Sequence, residues 1–307
     1  MNARFQRSGF VSHRSDSPFH HHLAEFNRDR LTPSTTAPDE RLLREECEVR
    51  ILELRFVELE REEIAELTTT APSDADEFAA WFEKLLWMGP GQGHQLFPWL
   101  AFHATREDMR WFLQQELAHE AGFEDRIALT QIQLPAASQL EMARGYWDEM
   151  GRGHECGTRR EMLTRLAREF ELDVESMDVV WESVALDNLM VALATQRHYA
   201  YESVGALAAV QLTAFSREEQ VNAGLARLGI AGQARQYYAL RAQLGIERFM
   251  SWSDQVIRPL VSADPSVAKH IAAGALMRLR AGERCFERYA ETLWGGEEPQ
   301  SGWIRLR

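Results

Sequence analysis

Cysteine is scarce: Cys47, Cys156 and Cys285 stand far apart in 307 residues, and none has CxxC spacing. That excludes a disulfide framework and a structural zinc site, and it fits a reducing cytoplasm. Positive charge is also short. Lys and Arg number 34 against 47 Asp and Glu, a formal net charge of −13, which is a poor match for nucleic acid or an anionic membrane surface. No apolar run approaches the roughly 18 residues of a membrane span. Arg4 and Arg7 are followed by no apolar stretch, so no signal peptide is expected. Val and Ile nowhere collect into alternating runs, which leaves little material for a sheet, and no internal repeat is found.

What is present is helical periodicity on a soluble, globular composition, 45% hydrophobic and 26% charged. Residues 1–38 are polar, rich in Ser, Arg and His, and predict a flexible arm. His20, His21 and His22 lie in it, and consecutive histidines point in different directions on a helix, so a solvated arm is the simpler reading than metal capture. A single helical domain is expected over 39–293, with a tail at 294–307. Helices are predicted over 39–67, 74–89 and 105–134, the last with Thr105 as its cap and Glu107 in its first turn. Another follows Pro135, and others cover 174–196, 198–213, 217–228, 232–258 and 265–293. The Gly-rich "GPGQGH" (89–94) follows no strand and reads as a turn rather than a phosphate cradle.

Helical bundles hold redox metals with carboxylates and histidines projecting inward from facing helices. Glu116 and His119 form one E-x-x-H pair, a pattern that chance supplies often. Asp148 and Glu149 in "YWDEMGRGHECGTRREML" are the next candidates. Cys156 stands near Arg159, where a cation would favour thiolate, although a lone turn cysteine is usually inert. Tyr199, Tyr201, Tyr237 and Tyr238 are most simply core residues.

Four segments carry a resemblance. "LEMARGYWDEMGRG" (140–153), "ALATQRHYAYESVGALAAVQLTA" (192–214), "VNAGLARLGI" (221–230) and "QYYALRAQLGIER" (236–248) resemble the heme-oxygenase-like diiron oxidase superfamily, whose bacterial members are often labelled iron-containing redox enzymes. The resemblance covers about 95–293 and implies an all-α, heme-oxygenase-like helical bundle. It implies oxidative chemistry on small metabolites with two irons and dioxygen, and it makes a homodimer the expected assembly. Family ligands are a Glu and a His from one helix region, a Glu from the "GALAA" helix, and His-x-x-x-Asp-x-x-His from a later helix. Carried over by position, these fall on Glu149, Arg159, Gln211, Arg241, Gly245 and Arg248.

One ligand of six survives that transfer. Arginine stays cationic and offers no lone pair, and Gln211 is a weak ligand. Glu116, His119 and His154 lie outside the family's ligand positions. The expectation is therefore no metal and no cofactor, with iron through relocated ligands as the alternative. Arg241 and Arg248, two turns apart on one face, should point inward at Glu149 and Gln211, with Gly245 between them leaving room for guanidiniums or a ligand. Buried guanidiniums need partners, from Glu149, Asp148, Glu116 or Glu120. Two functions follow. In one, Arg159, Arg241, Arg248, Gln211 and Glu149 line a pocket for a small anionic metabolite, and any catalysis is oxidase- or oxygenase-like without metal. In the other, the arginines only plug a dead site, and the chain is a pseudoenzyme or partner of an active oxidase.

Overall fold

A computed structural model describes residues 17–120, 122–172 and 178–295. Fourteen α-helices are present there: α1 Ser17–Leu31, α2 Glu40–Glu63, α3 Ala65–Thr68, α4 Ala75–Met88, α5 Leu96–Phe102, α6 Arg106–Glu120, α7 Phe123–Thr130, α8 Ala136–Glu149, α9 Arg159–Glu169, α10 Trp181–Thr195, α11 Ala200–Arg227, α12 Gln236–Trp252, α13 Arg258–Ala263 and α14 Ala268–Leu293. No strand occurs among the described residues, only an isolated antiparallel bridge between Met150 and Thr158. No described helix is long and apolar enough to cross a membrane.

Local chemistry sets the helix starts. Asp39 accepts from Leu42 N ahead of α2, Asp74 accepts from Asp76 N and Glu77 N ahead of α4, and Thr158 accepts from Glu161 N ahead of α9. Before α6, Asp108 accepts from Thr105 N while Thr105 Oγ1 accepts from Asp108 N, a reciprocal box. Three predicted boundaries are corrected. The helix expected over 105–134 breaks at Gly122, which sits at φ +74, a conformation that costs glycine nothing. The pair expected at 198–213 and 217–228 is one helix, α11, because neither Gly nor Pro interrupts residues 213–217. The helix expected over 232–258 loosens into a π-turn at Ser253–Ile257. Helices α1 and α5 were not anticipated.

α11 is the axis of the bundle and packs between α12 and α14. The α11–α14 crossing is set by two glycines. A Cβ on Gly205 would lie 1.8 Å from Ile271 O, and one on Gly274 would lie 1.8 Å from Glu202 O. The two backbones touch, and any larger residue would force them apart.

The flexible arm is corrected over its second half. α1 buries Phe19, His20, Leu23 and Asn27. His20 stacks on Trp181, with ring centroids 5.6 Å apart, and meets the edge of Phe56. Asn27 donates to Asn188 (3.0 Å), and Arg30 pairs with Glu53 (2.7 Å). His21 and His22 are exposed, so the three histidines form no cluster. Residues 1–16, and all of the expected tail except Trp294 and Gly295, lie outside the described residues.

Candidate functional site

Glu149 closes α8 and Arg159 opens α9. Between them the chain makes two short 3-10 turns, Gly151–Gly153 and Glu155–Gly157. A Cβ on Gly151 would lie 2.5 Å from the Gly157 carbonyl carbon, and its φ is +65, so this tight reversal needs glycine. The reversal brings Arg159 Nη1 to 3.4 Å from Glu149 Oε2. On the facing helix α12, Arg248 Nη1 donates to Glu149 Oε1 at 2.6 Å, and Arg241 Nη1 stands 4.0 Å from the same oxygen. The structure thus brings Glu149, Arg159, Arg241 and Arg248 together around one carboxylate.

Two further carboxylates complete the network. Arg159 Nε donates to Glu120 O at 3.1 Å, and its Nη2 pairs with the Glu120 carboxylate. Tyr237 donates its hydroxyl to the same oxygen of that carboxylate, Oε2, at 2.5 Å. Arg241 Nε donates to Glu218 Oε1 at 3.2 Å. Phe123 and Tyr237 pack their rings under the guanidiniums, with Arg159 Cζ 4.4 Å from the Phe123 centroid and Arg241 Cζ 5.7 Å from that of Tyr237. Three arginines therefore face three glutamates in a buried cluster, which satisfies the charges within the fold.

Burial dominates the acid–base behaviour. It pushes the Arg159 guanidinium down to about 10 and raises the Glu218 carboxyl. Burial acts the same way on Arg241, but Tyr237, Glu218 and Glu149 outweigh it and hold that guanidinium above its ordinary value.

The other predicted residues are more scattered. Gln211 is buried and, with Arg248, lines a cavity of about 150 Å³ that also takes in Glu141, Asp148 and Trp252; no hydrogen bond joins Gln211 to Glu149. Asp148 holds Arg152 at 2.7 Å and stands 3.8 Å from Arg248. Glu116 lies on α6 and faces a different, smaller cavity. The side chain of His119 lies outside the described residues. His154 and Cys156 are exposed. The expectation for Gly245 is corrected: a Cβ there would lie 3.1 Å from both Phe215 Cβ and Phe215 N. The glycine lets α12 approach α11 and leaves no room for a ligand.

Sequence reasoning missed Glu218, Arg217 and Arg278 as site residues. Glu218 follows Gln211 by seven positions, which is the same face of one continuous helix, and Arg217 stands next to it on the adjoining face. Ending that helix at 213 hid them. Arg278 sits four residues before Gly282, a spacing that could have marked it as a cation with space cleared beside it.

These positions do not fit a pair of irons. Such a centre needs imidazole lone pairs and bridging carboxylates. Here guanidinium nitrogens hydrogen-bond to the one remaining carboxylate, and Phe215 closes the space where an acidic side chain would stand at 245. Among the described residues, no three His, Cys, Asp or Glu side chains are grouped so as to hold a metal.

The model of the iron-containing redox enzyme family matches residues 110–283, more than half of the chain, and the chain belongs to that family. Among solved structures, a CADD-like protein of unknown function from Nostoc punctiforme PCC 73102 superposes with a TM-score of 0.56 at 14% identity, covering 74% of this chain and 99% of that one. That likeness is one of fold. No curated protein matches the chain.

Proposed function

We propose that this chain is a divergent member of its family that lacks a diiron centre and binds a small anionic metabolite. One observation carries the metal half of the reading: Glu149, at a family ligand position, is committed to Arg248 and Arg159 at two others. Guanidiniums repel a metal cation and cannot coordinate it. The anionic half is supported by the buried arginines themselves, whose forked donors suit carboxylates. If the chain catalyses, it does so as a metal-independent oxidoreductase; a homodimer in the cytoplasm is the setting proposed, in keeping with three unpaired cysteines.

The charge balance of the network favours a second reading, a non-catalytic partner of an active diiron oxidase. Three glutamates already answer the three arginines, so the cluster can serve the fold alone. Metal analysis of protein from iron-supplemented cells tests the first step. Far less than one iron per chain is expected, with no oxo-bridged absorption after ferrous iron and oxygen. Stoichiometric iron would restore the third possibility, an iron-dependent oxidase with relocated ligands. Thermal shifts with a panel of small anions then separate a binding protein from a partner protein.

A further inference from the structure

Behind the network lies a second cavity, of about 30 Å³, between α6, α11, α12 and α14. It has room for about two waters. The guanidiniums of Arg217, Arg241 and Arg278 and the carboxylates of Glu116, Glu120 and Glu218 face it, and Phe97 and Phe286 supply apolar walls. Arg241 reaches it from the network, already bound to Glu218. Arg217 and Arg278 differ. Among the described residues neither makes a hydrogen bond or an ion pair, and Arg217 Nε is buried without a partner. Arg278 is 7% exposed. A Cβ on Gly282 would lie 2.7 Å from Arg278 Nη1, so this glycine gives the guanidinium its place beside the helix. Arg217 lies over Phe286, with Cζ 4.8 Å from the ring centroid, and within 5.9 Å of that of Phe97.

The carboxylates around the cavity are unevenly shared. Glu120 and Glu218 are committed to Arg159 and Arg241, which leaves Arg217 and Arg278 with Glu116 as the remaining carboxylate of the lining. An uncompensated buried guanidinium is costly, and apolar walls strengthen its attraction for an anion. We infer that this cavity binds one monovalent anion of chloride or formate size, held between the guanidiniums of Arg217 and Arg278. With Glu116, Glu120 and Glu218 on the same walls, a single negative charge suits the site better than a double one, and the volume excludes a longer acid. The same strain shows in the acid–base behaviour: burial first, and Arg278 second, push Arg217 down to about 9, and burial lowers Arg278 as well.

The inference rests on the preceding reading for the charge of the ligand, not for the fate of iron. It moves the anion from the Arg159–Arg241–Arg248 face to the cavity behind it. The anion could be a halide-like inorganic ion or a one- or two-carbon carboxylate, since both present one compact negative charge. Melting temperatures in low-chloride HEPES, with ionic strength held constant by gluconate, test it directly. Sodium chloride, formate, acetate, propionate and phosphate are the probes.

Wild-type protein should show a saturable rise with chloride or formate, a weaker one with acetate, and none with propionate or phosphate. A tighter response to chloride identifies an inorganic ion, and a tighter response to formate a carboxylate. Arg217→Met and Arg278→Met should each weaken the response at least tenfold, while Arg248→Met changes it less than twofold. Gly282→Ala keeps every charge but displaces the Arg278 guanidinium, and it should weaken the response even if an arginine variant fails to fold. A response that survives in Arg217→Met, Arg278→Met and Gly282→Ala but is lost in Arg248→Met overturns the location and leaves the anionic reading standing. A response to phosphate alone overturns the monovalent assignment. No response to any anion in wild-type protein overturns both.

Discussion

Two groups of buried arginines lie side by side in this bundle, and they have opposite needs. Arg159, Arg241 and Arg248 are met by Glu120, Glu149 and Glu218. Arg217 and Arg278 share a cavity edge with Glu116 and make no hydrogen bond or ion pair among the described residues. The residue type is the same, and each group joins buried guanidiniums (Arg159, Arg241, Arg278) to a partly buried one (Arg248, Arg217). What differs is where α6, α8 and α11 deliver their carboxylates. A paired guanidinium is part of the scaffold, whereas an unpaired one beside a cavity is an invitation to a ligand. The site suggested by family position is therefore the settled one, and the open one lies a helix away.

The sharpest way to break this contrast is to remove the carboxylate at its centre. Glu149→Gln leaves Arg248 and Arg159 without their shared charge, and stability should fall by about 3–5 kcal/mol, the scale for orphaning a buried ion-pair partner. Urea unfolding followed by circular dichroism measures it. A loss below about 1 kcal/mol would mean that the network is not structural, and the two groups would no longer differ. Gly245→Asp comes next. It restores an acidic residue at a family ligand position, yet its Cβ meets Phe215, so overpacking should cost about 1–3 kcal/mol and iron content should stay unchanged.

Much of the fold was legible in sequence because helix signals are local. Asp39 and Asp74 stand where the sequence starts two helices, and they cap them; Thr158 caps α9 inside what the sequence reads as one element after Pro135, and the lack of β-branched alternation excluded a sheet. The docking of α1 was not legible. A stretch containing His20, Asn27 and Arg30 reads as polar, and only the tertiary partners Trp181, Asn188 and Glu53 make it a buried element. The site divides the same way. Glu149, Arg159, Arg241 and Arg248 were reached through spacing on helix faces together with the family pattern. Arg217 and Glu218 were lost to a misplaced helix end, and Arg278 to the absence of any family role for its position. Gly245 was placed on the right helix face, but which neighbour fills its space depends on the α11–α12 approach.

A smaller effect separates the groups by pH. Burial raises the Glu218 carboxyl, and also those of Glu124 and Glu182, above the ordinary value of 4.5. In the window above 4.5 and up to the raised values, the folded state binds more protons than the unfolded one, so stability should fall as pH rises. Asp264 is shifted downward, by hydrogen bonds from Ser266, and so acts only below 3.8, with the opposite sign. Glu218→Gln should flatten part of the decline above 4.5, as read from urea midpoints at stepped pH. An unchanged slope would show that Glu218 titrates as it does in the unfolded chain, and that Arg241 offsets its burial completely.

The smallest expected effect is also the one with the most discriminating sign. Arg241→Met strands Glu218 and should cost about 3 kcal/mol or more. Arg278→Met strands nothing. In low-chloride HEPES with gluconate it removes a buried charge held by no hydrogen bond or ion pair among the described residues, only by the longer-range attraction of Glu116, and its stability should lie within about 1 kcal/mol of wild type, on the stabilising side. Adding formate or chloride should reverse that order. Wild-type protein then gains the linkage stabilisation of a bound anion, which grows with the ratio of ligand concentration to Kd, and Arg278→Met, whose binding is at least tenfold weaker, gains far less. Urea unfolding in the two buffers reads both signs in one experiment. A loss of more than about 2 kcal/mol in both buffers would mean that Arg278 already has its counter-charge inside the fold, and the distinction between the two arginine groups would not hold.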